Sequence, residues 1–521
     1  MTRAERLQSL AREPRFDLVV VGGGATGLGV ALDAALRGFS VALFESHDFA
    51  GGTSSRSTKL LHGGVRYLAQ GNVALVREAL AERATVLRIA PHLAQPLPFV
   101  MPSYAWWQTP YYGAGLKLYD LMAGRAGLGR TEFLSRAQTL AALPGVNPAG
   151  LKGGVQYWDG QFDDARLALA LARTAENTGA RMFNYVSVEG VERHGEGSSV
   201  TVKDGLTGCS HQLEARCVIN ATGVWVDAVR ARAGAVDGST PARMVSPSQG
   251  VHVVVDREFL HGDHALLVPK TRDGRVLFAV PWLGKLILGT TDTPRQDLPR
   301  EPQPFAEELE FILGEAAHVL QRPVRRSDIR SVWVGLRPLV APPKADGGGT
   351  KVLSREHTIV VDPSGLVTVT GGKWTTYRAM ADDVMERCFA AGLLPRRDGG
   401  QTARHPLDGS PAEGVTPVPL HAAPGQHLFG DHAPEVLRCP GADCPLDMGL
   451  TEAMVRYMTR CEYAHTVEDV LARRWRALFL DARRASEMAP SVATILEDEG
   501  VSDPRLQGFL ALCRHYLPVG S

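Results

Sequence analysis

Apolar positions along this chain alternate between short continuous runs and helical periods. Asp17 to Val21 reads as a short buried strand, Leu28 to Arg37 as an Ala/Leu-rich helix, and Ser40 to Phe44 as a second strand. Asn72 is placed to cap a helix from Val73 to about Ile89, stopped by Pro91. Asp164 to Gly179 predicts a helix, Ala180 to Val191 a strand and turn, and Val218 to Val224 a buried strand ending in small residues. Residues 251 to 292 alternate between apolar strands and turns. His357 to Thr370 predicts a hairpin about Pro363-Ser-Gly365, and a helix follows to about Phe389. Residues 396 to 426, rich in Gly, Pro and Ala, read as a linker, and Thr451 to Leu517 as a separate helical domain.

The junction between the first strand and the first helix carries the chemistry. Gly22, Gly24 and Gly27 form G-x-G-x-x-G, and Glu45 follows the second strand. Such glycines give a tight turn, close approach of backbone to a pyrophosphate, and close helix–strand packing. The helix N-terminus presents free N–H groups to the phosphates, and the acid accepts from ribose hydroxyls. Strand, glycines, helix, strand and acid in that order predict a dinucleotide-binding fold. Its site is assembled from pieces near 20–66, 220 and 371, with a second, β-rich domain in the intervening chain.

Composition narrows the partners. At 521 residues the chain exceeds one typical domain, so two or three are expected. Lys+Arg and Asp+Glu both number 56, a balance that gives no support for nucleic acid as a partner. No N-terminal apolar stretch reads as a signal peptide and no run of apolar residues predicts a transmembrane helix. The seven scattered cysteines suit reduced thiols in a cytoplasmic protein, and the spacing of Cys439 and Cys444 does not predict a metal site.

Several motifs in one order resemble the FAD-dependent glycerol-3-phosphate dehydrogenases. These are Gly22 to Gly27 with Glu45, Thr53-Ser-Ser-Arg-Ser-Thr-Lys-Leu-Leu-His-Gly-Gly-Val-Arg-Tyr67, Asp159-Gly-Gln-Phe-Asp-Asp-Ala-Arg166 and Asn220-Ala-Thr-Gly223. Gly289-Thr-Thr-Asp292, Gly335-Leu-Arg-Pro338, Gly371-Gly-Lys-Trp-Thr-Thr-Tyr-Arg378 and the run Glu462 to Arg474 extend the match over nearly the whole chain. The resemblance implies an α/β fold with a Rossmann-like FAD-binding domain of the glutathione-reductase/D-amino-acid-oxidase type, an inserted β-rich cap domain and a C-terminal α-helical domain. The expected division is 14–75, 151–230 and 355–395 for the FAD-binding domain, 76–150 and 231–354 for the cap, 396–426 for the linker and 427–521 for the helical domain. The implied activity is oxidation of sn-glycerol 3-phosphate to dihydroxyacetone phosphate, with electrons passed to a membrane quinone. A homodimer at the inner face of the cell membrane, cytoplasmic and peripherally attached, is expected.

The resemblance assigns to FAD Gly22, Gly24, Thr26, Gly27, Glu45, Ser46, Thr53, Ser54, Ser55, Lys59, Leu60, His62, Gly63, Gly64, Val188, Ala221, Thr222, Gly223, Trp225, Gly371, Gly372, Lys373, Trp374 and Thr375. Glycines suit places where backbone passes close to the flavin, and Lys373 at a helix start suits the negative charge of reduced flavin. The dianionic phosphate calls for arginine, whose fork binds oxygens bidentately and keeps its charge. Arg66, Arg337 and Arg355 match family positions near the substrate, with Tyr67, Thr290 and Lys373 beside them. Histidine is the usual proton acceptor near neutral pH, and His62 and His252 are the two candidates. Asp163, Asp164 and Arg166, at a helix start, read as structural. The aromatic stretch from Tyr104 to Met122, with Lys117 and Arg125, suits either a membrane interface or a buried cap-domain helix. A glycerol-3-phosphate oxidase delivering electrons to oxygen is the alternative activity, and a non-catalytic flavin-binding redox protein a more distant one.

Overall fold

The structure, a computed structural model, describes residues 3–64, 72–233, 242–272, 274–341 and 357–518. Its first layer grows from the apolar run ending in Val21. The strand Arg15–Val21 pairs in parallel with Val41–Phe44 on one side and Ser210–Asn220 on the other. Leu366–Gly371 adds in parallel beyond 210–220, and Arg181–Phe183 beyond 41–44. Three antiparallel strands, His357–Val361, Gly197–Asp204 and Val186–His194, complete an eight-stranded sheet among the described residues.

Alternation along the central strand divides its side chains between two cores. Leu18 and Val20 pack under the helices Ala25–Leu36, Asp164–Asn177 and Tyr377–Ala390. Val19 and Val21 pack with Val200, Val202 and Leu213 and with Leu7 and Leu10 of the helix Arg3–Arg12. Burial on both faces is what a parallel strand demands, and each such Val or Leu contributes about 1.5–3 kcal/mol of transfer free energy. The helix Val73–Ile89 is capped by the Asn72 side chain, which accepts from Leu75 N.

The second layer is a ten-stranded sheet among the described residues. Its centre is Val245–Asp256, flanked in antiparallel by Lys285–Gly289 and Ser331–Val340. It continues through Leu277–Trp282, Ala265–Val268, Ala94–Ser103 and Gly153–Phe162 to the short strand Leu60–Leu61. The pairing of this sheet does not follow chain order. Gly153–Phe162 pairs along its whole length with 94–103. The chain crosses to the first layer one residue later, where Asp163 caps the helix Asp164–Asn177.

The stretch 396–426 has little regular structure but lies packed. Leu407 and Leu420 are buried, Leu407 N donates to Ile89 O at 2.8 Å, and Leu420 N donates to Gln95 Oε1 at 3.1 Å. Beyond it the helices Glu452–Cys461, Ala482–Asp498 and Leu506–Tyr516 share one core with Trp282 and Trp333 of the second sheet. A π-helical turn, Asp469–Arg474, sends Arg473 and Arg474 to the buried Asp48 carboxylate of the first layer. Arg166 reaches back to Glu462 at 2.8 Å. Buried charges paired across layers are costly to separate, which welds the helical portion to the rest.

Candidate active site

Parallel pairing is what assembles the first half of the site. Because 15–21, 41–44, 210–220 and 366–371 all run the same way, their C-terminal ends share one edge: Val21 is level with Phe44 and Asn220, and Asn220 with Thr368. The glycine turn, Glu45, Ala221–Gly223 and Gly371–Lys373 emerge from that edge together. This is the place where open parallel sheets bind ligands.

Two of the turn's glycines are required on steric grounds. Gly22 has φ +109°, and a Cβ there would stand 2.7 Å from Ala221 O. A Cβ on Gly27 would overlap Gly22 O, so the helix can begin this close to the strand only without a side chain. Ala25 N donates to Ser54 Oγ at 2.9 Å, which ties the 53–55 turn to the helix start. Glu45 Oε2 accepts from Gly23 N at 2.7 Å and Oε1 from His47 N at 2.9 Å. Burial raises the Glu45 carboxyl above its ordinary range, with the two backbone donors opposing. Across the cleft Trp374 Nε1 donates to Ser54 O at 2.8 Å, and Gly371 and Gly372 hold φ near +83° and +72°. The glycine cradle and helix start, whose N–H groups donate, and the acid, which accepts, form a set that fits a dinucleotide pyrophosphate and ribose.

The second half of the site comes from one face of the second sheet. Ladder register places Ser248 opposite Arg337, Gly250 opposite Gly335 and His252 opposite Trp333. The Arg337 guanidinium lies across this face. Nη1 donates to Gln249 O and Asp292 Oδ1, each at 3.3 Å, and Nη2 to Thr290 Oγ1 at 3.2 Å and Thr291 O at 3.0 Å. The face is clamped to the first layer by Thr53 Oγ1, which donates to Leu336 O at 2.5 Å, and a Cβ on Gly335 would meet Arg56 O at 2.7 Å.

His252 is buried, stacks on Trp333 with ring centroids 4.0 Å apart, and bonds through Nε2 to Thr58 Oγ1 at 2.9 Å. Burial, with the cations Lys59 and Arg337, holds its imidazole well below the ordinary histidine range. Lys59 is fully buried. Its Nζ bonds to Asp164 Oδ2 at 2.7 Å and Ser55 O at 2.8 Å and lies over Trp333 at 4.6 Å. Burial pulls its ammonium down to about 7 against the opposing pull of Asp164. Its side chain is thus committed inward, and what it can offer a cofactor is backbone.

The structure brings together the glycine turn with Thr26, Glu45, Ser46, Thr53, Ser54, Ser55, Ala221, Thr222, Gly223, Trp225 and the 371–375 segment. Leu60 is taken up in the second sheet, pairing with Gln161. His62, Gly63 and Gly64 follow that strand, and Gly63 donates its N–H to Asp159 Oδ1 at 3.2 Å. Val188 lies two residues past Val186, whose N–H donates to Glu45 O at 2.8 Å. Lys373 starts the turn Trp374–Thr376, and its Nζ is buried. Arg66, Tyr67 and Arg355 lie outside the described residues. Asp163 is a helix cap, accepting from Arg166 N at 3.2 Å, and Asp164, in the first turn of the same helix, also serves Lys59, Ser57 and Arg476. Sequence reasoning passed over Thr58, Gln249 and Glu308. Thr58 stood inside a quoted motif, but the other two carried no local signal.

A glycine-turn α/β layer joined to a β-rich layer that carries an arginine and a histidine defines the FAD-dependent oxidoreductase class, and the family model of that description matches residues 17–386. A second family model, described as the C-terminal domain of alpha-glycerophosphate oxidase, matches residues 400–504. The mitochondrial glycerol-3-phosphate dehydrogenase of Homo sapiens is 40% identical over 552 residues, covering 99% of this chain and 75% of that protein. The solved glycerol-3-phosphate dehydrogenase of Bacillus halodurans, complexed with FAD, aligns with a TM-score of 0.76 at 27% identity over 99% of this chain and 98% of that one. L-alpha-glycerophosphate oxidase of Mycoplasma pneumoniae, with FAD bound, shares the fold at 18% identity and a TM-score of 0.55, covering 75% of this chain and 98% of its own. The chain belongs to the FAD-dependent glycerol-3-phosphate dehydrogenase family, and FAD is its cofactor.

Proposed function

We propose that this chain oxidises sn-glycerol 3-phosphate to dihydroxyacetone phosphate and passes the electrons to a membrane quinone. The observation that carries the reading is Arg337, a cation held in a collar of carbonyls and hydroxyls on the sheet face clamped to the cofactor layer. Bound FAD supplies the two-electron acceptor for the hydride leaving the secondary carbon. Gly22, Gly24, Gly27 and the helix start take the pyrophosphate, Glu45 the ribose, and Gly371 to Thr375 border the flavin. Arg337 binds the substrate phosphate bidentately, with the Thr290 hydroxyl beside it. Lys373 adds positive charge where the reduced state is negative. His252, kept neutral by burial, accepts the proton of the substrate hydroxyl, and Thr58 orients its ring.

The membrane side of the reading rests on the helix Gln108–Ala123. Its inner face buries Leu116 and Tyr119, while Trp107, Tyr111, Leu118 and Leu121 are exposed, Leu121 to 78%, and the preceding Trp106 to 83%. No helix among the described residues is long and apolar enough to cross a membrane. A surface helix apolar on both faces, with Lys117 and Arg125 at hand, suits the lipid interface, where Trp and Tyr are favoured.

The description of the matching C-terminal family model favours a second reading, the oxidase that reduces oxygen. One experiment separates them: anaerobic mixing with sn-glycerol 3-phosphate while the flavin absorbance is followed, then oxygen or a soluble quinone. Bleaching with slow return in oxygen and fast return with quinone supports the dehydrogenase. Fast return in oxygen with peroxide supports the oxidase. An FAD-loaded protein that does not bleach overturns both.

A further inference from the structure

Glu308 lies in the first turn of the helix Ala306–Val319, packed behind the strand 245–256 and only 3% exposed. Each carboxylate oxygen is used twice. Oε1 accepts from Thr291 Oγ1 at 2.9 Å and Thr293 Oγ1 at 2.6 Å, and Oε2 from Gln249 Nε2 at 2.5 Å and Phe305 N at 2.9 Å. These four donors are all uncharged. A buried carboxylate held by neutral groups gives up hydration that no ion-pair partner returns, so stability alone is a poor reason for its presence.

Its grip points elsewhere. Gln249 and Thr291, two of the residues it holds by their side chains, are the two whose carbonyls accept from Arg337, at 3.3 and 3.0 Å. Successive side chains of a strand point to opposite faces, so Gln249 reaches back to Glu308 while its neighbours Ser248 and Gly250 share the face of Arg337. The Gln249 amide oxygen is held in turn by Arg295 Nη1 at 2.5 Å, and the Thr291 hydroxyl also accepts from Val251 N at 3.0 Å. Displacing either carbonyl would disturb a side chain that Glu308 holds, and at Gln249 the ladder opposite Leu336 and Thr293 resists it as well.

We propose that Glu308 is a positioning residue for Arg337: from the far side of the sheet it fixes the two carbonyls that aim the guanidinium, and so sets the affinity of the site for a phosphate group. The proposal rests on the reading of Arg337 as the phosphate-binding cation. An arginine side chain freed from such a collar would have to be ordered at each binding event, and that ordering weakens binding without altering the chemical step.

The test is a double-mutant cycle on FAD-loaded protein with Glu308→Leu, Arg337→Ala and the pair. Two readouts are taken, the glycerol 3-phosphate concentration for half-maximal anaerobic bleaching and the dissociation constant of inorganic phosphate by calorimetry. Glu308→Gln could keep all four bonds by turning its amide to the threonine hydroxyls, which can accept, whereas Glu308→Leu keeps the volume and removes every bond to Gln249 and Thr291. Half-saturation is expected to rise at least tenfold, phosphate binding to weaken in parallel, and the limiting bleaching rate to stay within threefold. In the Arg337→Ala background the further change should be under twofold. Thr293→Val, a milder loss at the same carboxylate, should shift half-saturation in the same direction by two- to fivefold and keeps the test open if Glu308→Leu folds poorly. An unchanged half-saturation, or a Glu308 effect undiminished when Arg337 is alanine, overturns the proposal. Arg337→Ala with wild-type affinity for both ligands would instead remove the reading of Arg337 beneath it.

Discussion

Gly250 leaves the space that the Arg337 guanidinium fills. A Cβ built on Gly250 would overlap Nη2 of Arg337 and stand 2.7 Å from Thr290 Oγ1. The glycine is required for room rather than for backbone conformation. It lets the arginine of the 331–340 strand lie flat across its neighbour and meet the 290–292 turn.

Gly250→Ala therefore tests the anion site without touching a ligand-binding side chain. The overlap falls on the far end of a flexible side chain, which can move, so the fold should persist with a melting temperature within a few degrees of the parent. The half-saturating concentration of glycerol 3-phosphate should rise about tenfold, equivalent to about 1.4 kcal/mol. Steady anaerobic titrations would read this, and an unchanged value would mean that the guanidinium is free to lie elsewhere.

Gly27→Ala should behave differently, because its Cβ would overlap backbone, the Gly22 carbonyl. Backbone cannot turn aside, so the helix start must shift away from the cofactor edge. Purified protein is expected to carry little FAD, read as the ratio of flavin to protein absorbance. A full flavin complement would contradict the close packing of helix and strand.

Acid should destabilise the chain earlier than carboxylate titration alone would. Burial lowers the His92 imidazole from 6.5 to about 3, and His252 is likewise held well below 6.5. Between pH 6.5 and about 3 the unfolded chain binds a proton at His92 that the folded chain refuses, and the buried His252 acts in the same direction. Stability is thus complete above pH 6.5 and falls as pH drops through that window, by about 1.4 kcal/mol per pH unit for each fully affected histidine. Denaturant midpoints across pH 4–7 would measure the slope, and His92→Gln should lower it by one proton. An unaltered slope in that variant would count against a neutral, buried His92.

The exposed aromatics before and along the helix 108–123 make a prediction about location. Replacing Trp106 and Leu121 by serine should reduce co-sedimentation with anionic lipid vesicles severalfold. It should leave anaerobic bleaching by glycerol 3-phosphate unchanged, since neither side chain reaches the cofactor edge. Equal sedimentation of variant and parent would move the membrane contact to another surface.

The local parts of this protein were legible along the chain. Asn72 at its cap, the hairpin about Pro363-Ser-Gly365 and the strand-turn-helix from Asp17 through Gly27 follow from residues within a few positions of one another. Even the gathering of the pieces near 20, 220 and 371 was readable, because parallel strands end at a common edge. Which sheet 153–162 joins was not, since a ten-residue strand chooses its sheet by its partners rather than by its neighbours in sequence.

What the sequence by itself determined is the cofactor turn and the family. G-x-G-x-x-G, the 53–67 run and the Gly-Gly-Lys-Trp-Thr-Thr segment are short-range patterns whose chemistry does not depend on what lies across the fold. Only the tertiary structure decided which charges are structural and which are aimed at the site. Lys59 stood in a cofactor motif, yet its ammonium is spent on Asp164, 105 residues away, while Asp48 is answered by Arg473 and Arg474 more than 400 residues on. Glu308 carried no motif at all, and its role rests on bonds to residues 249, 291 and 293. A buried charge is worth what its partners make it, and partners of that kind are set by how layers pack, which no local spacing encodes.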